Sequence, residues 1–370
     1  MTHLATSPCH DACTADGGRP EIAPRAMLQD ELFSRPEWYS LLEQTALNQD
    51  DRCRYFKENQ DATACLPLLI SGAKPRTLQA LSTFYTPLFG PLATPAQLGP
   101  LLESWSASLR QERGRWDTIN LAPLDATQPF FNLARRALME AGFLVDDYFC
   151  FGNWFLPCCH PCFDDYFASL PGNTRNNIQR AGKRFARIPD AALRIVTGTG
   201  AELETAICDF NTVYAMSWKR PEPYPDFIPG LCRMAAREGW LRLGVATLAG
   251  KAVAAQIWLV VDGKAMIYKL AYDASLAKLS AGTLLTAHLM RHAMDVDQVK
   301  EVDYLMGDDA YKKEWMTCRR ERRGIIAFNL RTARGLVAAL RHYAGRVVHA
   351  LGRKLRAGEM QTGASRNTSA

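Results

Sequence analysis

No apolar run in the 370 residues approaches the length of a membrane-crossing helix. The longest candidate, residues 252–261, has the length of a strand. The N-terminus also lacks a positively charged start followed by an apolar core, so no secretory signal is expected and the expected location is cytoplasmic. A second cysteine pair is missing. Cys159 and Cys162 form one C-x-x-C pair, but no partner pair follows at zinc spacing, and His288 and His292 share a helical face without a third ligand. No metal site is therefore expected, and without a signal the cysteines read as reduced thiols. There is no nucleophile elbow and no Cys–His–Asp set, which argues against a covalent enzyme intermediate. Finally, acids are missing from two stretches. Between Asp165 and Asp190 stand Arg175, Arg180, Lys183, Arg184 and Arg187, and from Arg331 to Arg356 there are seven basic residues, all without a balancing carboxylate. Such stretches attract polyanions: RNA, a nucleotide-linked sugar or anionic lipid.

What is present is a folded α/β (α+β) chain. Hydrophobic residues make up 48% and charged residues 22%, which excludes intrinsic disorder, and the length suffices for two domains. Residues 1–27, with Gly17-Gly18 and three prolines but no periodicity, read as a disordered leader. Ser34-Arg35-Pro36 opens a helix with Ser34 as its cap. Strands follow at 54–58, 64–70 and 77–85, a helix at 98–110, a strand at 116–122, a helix at 128–141 and a strand at 143–151. This lobe, 28–160, repeats the order of a second lobe, 161–330. The second lobe begins with helices at 163–170 and 171–187 and continues with a strand at 193–197 and helices at 201–217 and 226–238. A basic amphipathic helix occupies 331–357, with Leu336, Val337, Leu340, Val347 and Leu351 against Arg334, Arg341, Arg346 and Arg353. The tail from 358 is loose. That helix can lie on an anionic membrane, which would put the protein peripherally at the inner membrane face, or pack on the domain.

The stretch 240–315 carries the most information. Segments 241–250, 252–263 and 264–273 are rich in Val, Ile, Leu and aromatics and are separated by Ala249-Gly250 and Asp262-Gly263, the chemistry of hairpin turns. Ser280, Ala281, Gly282 and Thr283 form a loop of small residues that opens a helix, an arrangement suited to binding phosphate through backbone N–H groups. Residues 299–307 predict another strand, and 308–315 a helix with Asp308 and Asp309 in its first turn.

Tyr272-Asp273, the Ser280–Leu285 loop, and Asp303 followed by Gly307-Asp308-Asp309-Ala310-Tyr311-Lys312-Lys313-Glu314-Trp315 carry a resemblance. The chain resembles the GNAT acyltransferase superfamily, in the branch related to FemAB aminoacyltransferases and to the CelD-type (BioF-like) acetyltransferase domain. The resemblance implies two GNAT-like lobes, each a mixed, mostly antiparallel sheet flanked by helices. It implies an N-acyltransferase with acetyl-CoA or another acyl-CoA as donor and direct attack by an amine. The acceptor would be a small molecule or a sugar or cell-envelope polysaccharide precursor. Aminoacyl-tRNA is the alternative donor, and a catalytically silent module that binds a polyanion or membrane is a third reading.

Within that frame Tyr272 and Ser280 to Thr283 are the expected donor site. Catalytic candidates are Asp303, a carboxylate inside an apolar strand; Asp308, at a strand end; and Tyr311 and Lys312, which follow Asp308 on one helical face. Asp308 and Asp309 suit helix capping equally well. Tyr311 can protonate the leaving thiolate or pack; Lys312 can bind a phosphate or carboxylate or remain a solvated lysine. Trp218 and Lys219, in a loop rich in Pro and aromatics, together with Gln256 and Tyr268 are the expected acceptor contacts. Tyr268 and Tyr272, four residues apart on one strand, are expected to point the same way.

Overall fold

The computed structural model describes residues 31–59 and 63–347. The expected leader 1–27, the tail 358–370 and the end of the 331–357 helix lie outside the described residues. The elements run α1 (Pro36–Thr45), β1 (Arg52–Lys57), β2 (Cys65–Ile70), β3 (Thr77–Ala80), α2 (Pro95–Gln111), β4 (Thr118–Asp125), α3 (Pro129–Glu140) and β5 (Leu144–Pro157). They continue with α4 (Phe163–Ser169), α5 (Gly172–Phe185), β6 (Ala192–Val196), α6 (Ala201–Ala215), α7 (Phe227–Arg237), β7 (Leu241–Leu248), β8 (Lys251–Val261) and β9 (Lys264–Tyr272). Then come α8 (Ala281–Arg291), β10 (Glu301–Asp303), β11 (Cys318–Phe328) and a last helix, α9, over 333–347. Among the described residues no helix is long and apolar enough to cross a membrane.

Contacts divide the chain into two compact units, each drawn from several stretches of sequence. The first holds the described residues up to 47, 83–92 and 150–322; the second holds 48–82, 93–149 and 323–347. Each carries a mixed, mostly antiparallel strand set. In the first unit β6, β7, β8 and β9 pair antiparallel in sequence, β9 pairs β10 in parallel, and β10 pairs β5 antiparallel. In the second, β1, β2 and β3 pair antiparallel and β3 pairs β4 in parallel. The two parallel pairs are each joined by a crossover helix, α8 in the first case and α2 in the second, so the strand order repeats.

Local chemistry explains the elements. Ala249-Gly250 and Asp262-Gly263 all have positive φ, the geometry that lets two-residue loops follow the twist of the strands they join. Thr94 and Gln97 close a capping box at the start of α2. The cap of α1 is Arg35 rather than Ser34, which belongs to a short 3-10 turn at Leu32–Ser34. Leu285, Leu289 and Met290 of α8 are fully or almost fully buried, each worth about 1.5–3 kcal/mol of burial.

The largest departure from expectation is β10. An apolar run at 299–307 reads as a long strand, but pairing stops at Asp303. The Asp303 carboxylate accepts the Leu305 N–H at 2.7 Å and the Asn153 amide at 2.5 Å, and Leu305 takes a left-handed φ of 53°. A side chain thus takes the N–H that a strand ladder would use, and the chain turns away from β9. Asp303 is fully buried between Arg320 at 2.5 Å and Lys264 at 3.2 Å, with Glu31 and Glu301 also on Lys264. Burial works to raise its pKa, but Arg320 and Lys264 outweigh it and hold the carboxyl well below the usual range. Asp303→Asn leaves the two cations short of a buried counter-charge. The expected loss is about 3 kcal/mol of unfolding free energy, read from the urea midpoint; an unchanged midpoint would contradict this role.

Candidate functional site

Beyond Met266 and Asp303, β9 and the chain after β10 no longer pair. Asp273 N–H donates to Val253 carbonyl, so by antiparallel alternation the backbone groups of Leu270 and Tyr272 point away from β8 into this opening. The bond from Lys219 Nζ to Leu270 carbonyl, 2.5 Å, fits that direction. Two cavities flank the opening, and Trp218, Leu270, Tyr304 and Tyr311 line both.

The first cavity, about 400 Å³, lies at the N-terminus of α8. Tyr272, Ser280, Ala281, Gly282 and Thr283, the whole expected donor set, line it. Ser280 adopts a left-handed φ of 55°, which turns a short 3-10 stretch into α8. The first intrahelical bond runs from Leu284 N–H to Ser280 carbonyl, so the N–H groups of Ala281, Gly282 and Thr283 have no intrahelical acceptor. The cavity therefore has a positive helix end in its wall. Thr174 and Asn177 of the basic helix α5 complete that side. Gln256, expected as an acceptor contact, lines this first cavity, and its polar atoms are already bonded: its Nε2 donates to Gly282 carbonyl and Thr286 Oγ1, and its Oε1 accepts from Trp258. It ties the first turn of α8 to β8.

The second cavity, about 380 Å³, is lined by Lys219, Lys269, Asp309, Lys312 and the aromatic residues Phe84, Tyr85 and Tyr268. Lys269 pairs with Glu222 at 2.7 Å. The Lys219 ammonium donates to the Leu270 carbonyl and lies beside the rings of Tyr214 and Trp218. Burial, and after it the neighbouring Lys269, push its pKa down to about 8. Tyr268 and Tyr272 do not point the same way. A bulge pairs Ile257 with Lys269 and Trp258 with Ile267, leaving Tyr268 extra. Tyr268 packs against Trp38 and Phe227 and donates to Tyr85 carbonyl at 2.8 Å, while Tyr272 packs against Trp218 with centroids 4.7 Å apart.

The catalytic candidates separate. Tyr311 lines both cavities, is 43% exposed and packs edge-on to Tyr304. Burial, with Asp309 nearby, pushes its hydroxyl up to about 12, so it stays protonated at neutral pH. Lys312 is buried, and its ammonium donates to the carbonyls of Tyr304, Met306 and Gly307 and pairs with Asp309, so it holds the 304–309 loop. Asp308 and Asp303 line neither cavity. The helix expected at 308–315 is a 3-10 turn, Ala310–Glu314, capped at Asp309 without a side-chain bond. Asp308 instead makes a two-nitrogen pair with Arg319 of β11 and accepts from Trp154 Nε1 at 2.7 Å; the Arg319 bond holds its carboxyl below the usual range. Gly152 makes room for that pair, since a Cβ there would lie 2.7 Å from both side chains. Tyr85, Tyr304 and Lys269 are site residues the sequence reading missed. Among the described residues no group of three or more His, Cys, Asp or Glu is placed to hold a metal ion.

Residues 172–313 match the family described as "Acetyltransferase (GNAT) domain". The chain carries a GNAT domain. Solved structures share the fold of this chain over most of its length. FemX is 10% identical with a TM-score of 0.56, covering 80% of this chain and 92% of its own. The C-terminal domain of a putative lysylphosphatidylglycerol synthetase from Agrobacterium fabrum is 12% identical, TM-score 0.52, covering 83% and 90%. L-PGS from Bacillus licheniformis is 12% identical, TM-score 0.51, covering 87% and 98%. No curated protein matches. At such identities the likeness is one of fold.

Gly282 sits against Tyr272, where a Cβ would come within 3.2 Å of the ring. If this cavity takes coenzyme A, as proposed below, Gly282→Val pushes Tyr272 or the helix end out of place and weakens that binding about tenfold or more. Calorimetry would read the change; an unchanged affinity would remove residues 280–283 from the donor site.

Proposed function

We propose that this GNAT chain is an N-acyltransferase that moves an acetyl or other acyl group from coenzyme A to an amine, by direct attack and without a covalent enzyme intermediate. One observation carries the reading: the cavity at the N-terminus of α8 runs into the opening beside β9, with a second cavity of different chemistry on its other side. In this reading the free N–H groups of Ala281, Gly282 and Thr283 take the donor's pyrophosphate. The Leu270 N–H, pointing into the opening, polarises the acyl carbonyl. The acceptor enters the second cavity. Its nitrogen forms the new bond to carbon, its proton passes to the neutral form of Lys219, the carbon–sulfur bond breaks, and the Tyr311 hydroxyl gives a proton to the departing thiolate. Lys312 and Asp308 then act as positioning residues for the 304–309 loop rather than on the reacting atoms. The acceptor we propose is an amino group on a sugar or cell-envelope polysaccharide precursor. The basic helix α5, which carries Arg175, Arg180, Lys183 and Arg184 and lends the uncharged Thr174 and Asn177 to the first cavity, favours a second reading, in which the donor is aminoacyl-tRNA.

Calorimetry with acetyl-CoA, free coenzyme A and an aminoacyl-tRNA separates these readings. Heat with either coenzyme A species and none with the tRNA is expected. Heat with the tRNA alone would move the donor to the second reading, and heat with none would leave a silent module and overturn the proposal.

Two variants test the roles. Tyr311→Phe should lower kcat about 10²-fold or more with the affinity for acetyl-CoA kept; an unchanged kcat would leave Tyr311 as packing. If neutral Lys219 is the base, kcat/KM rises with pH up to about 8 and flattens above it. Lys219→Arg, which stays protonated, should abolish that rise; a profile identical to wild type would remove Lys219 from proton transfer.

A further inference from the structure

The helix α9 of the second unit has two unlike faces. Gly335 and Ala339 are buried, and a Cβ on Gly335 would lie 2.2 Å from Asn329 carbonyl, so the helix is seated closely. His342 bonds Asp146 at 2.8 Å and packs against Phe328, Tyr343 packs against Phe328, and Arg346 is paired with Asp146. That face is closed by its own unit. On the other face Leu336, Val337, Leu340 and Val347 are 44%, 44%, 63% and 58% exposed. At 3.6 residues per turn these positions, with Ala344, fall within a stripe about 100° wide. Arg334 and Arg341 border it. The sequence carries no acid from 331 to 356, and Leu351 and Leu355 continue the same period.

An apolar stripe with a cationic border and no anion suits one class of partner. The leucines and valines enter the acyl boundary while the arginine stems lie along it and their guanidinium groups meet phosphate. A second copy of the chain fits poorly, because an isologous contact would bring the same arginine borders together. We propose that the stripe of Leu336, Val337, Leu340 and Val347, bordered by Arg334 and Arg341, seats the protein on an anionic lipid bilayer. The proposal stands apart from the acyl-transfer reading and does not depend on it.

Flotation of the full chain with phosphatidylcholine–phosphatidylglycerol vesicles, against pure phosphatidylcholine vesicles, tests it. The wild type floats with the anionic vesicles and not with the neutral ones. Arg334→Gln with Arg341→Gln weakens binding about fivefold for each arginine replaced. Leu336→Ser with Leu340→Ser weakens it about tenfold. Both variants should melt like wild type by circular dichroism, since the substituted side chains face solvent. Equal flotation of wild type and both variants overturns the proposal, as does failure of the wild type to float. A wild-type dimer that the serine pair splits, with no vesicle binding, likewise overturns it and makes the stripe a self-association surface.

Discussion

Everything at the site depends on the early parting of β9 from β10. Parallel neighbours ordinarily keep their ladder for the length of the shorter strand and its extension. Here the ladder covers three residues on each side because the buried Asp303 carboxylate draws the Leu305 N–H to itself. That costs ladder hydrogen bonds worth about 1 kcal/mol each, and it places a full negative charge in the interior. The charge is tolerated because Arg320, Lys264 and Asn153 surround it. The result is an edge of backbone N–H and C=O groups, on Leu270 and Tyr272, held open inside the protein with cavities on either side. A loop would not hold such groups in place; a strand anchored at one end does.

The two cavities differ in the chemistry of their walls. One has a helix end for a wall and small residues that let a ligand reach the backbone, which suits phosphate. The other has aromatic rings and lysines, of which Lys269 is neutralised by Glu222 while Lys219 is left on a carbonyl. Trp218, Leu270, Tyr304 and Tyr311 stand where the cavities meet. In the proposed reading, a group carried from one side to the other passes these residues.

How much of this could be read from the sequence follows from the range of the interactions involved. The hairpins at 240–273 were legible because Ala249-Gly250 and Asp262-Gly263 decide their turns locally, and the opening of α8 was legible because Ser280 to Thr283 are small and adjacent. The end of β10 was not, since Val302 to Met306 read as a strand and the partners that take up Asp303, among them Asn153 150 residues away, are distant in sequence. The bulge at Tyr268 leaves no composition signal, so Tyr268 and Tyr272 looked like one face. Asp308 suits a catalyst or a cap by sequence, but its contacts are with Arg319 and Trp154, which lie on other strands and leave no mark next to Asp308 in the sequence. Tyr85 reaches the second cavity from the chain's first half, through the 83–92 segment that belongs to the first unit. Gly152 carries a signal of a kind, a glycine among the aromatic residues of β5, which marks a close approach.

The central claim is that a donor lies across the helix end and the open edge of β9. Amide hydrogen exchange, measured residue by residue by NMR with and without acetyl-CoA, tests it most directly. The account predicts slowed exchange or shifted amide signals at Leu270, Tyr272, Ala281, Gly282 and Thr283, with the Gln256 side-chain amide unaltered because it is already bonded. Binding that leaves those five amides unchanged, or that alters amides of the second unit instead, would contradict it.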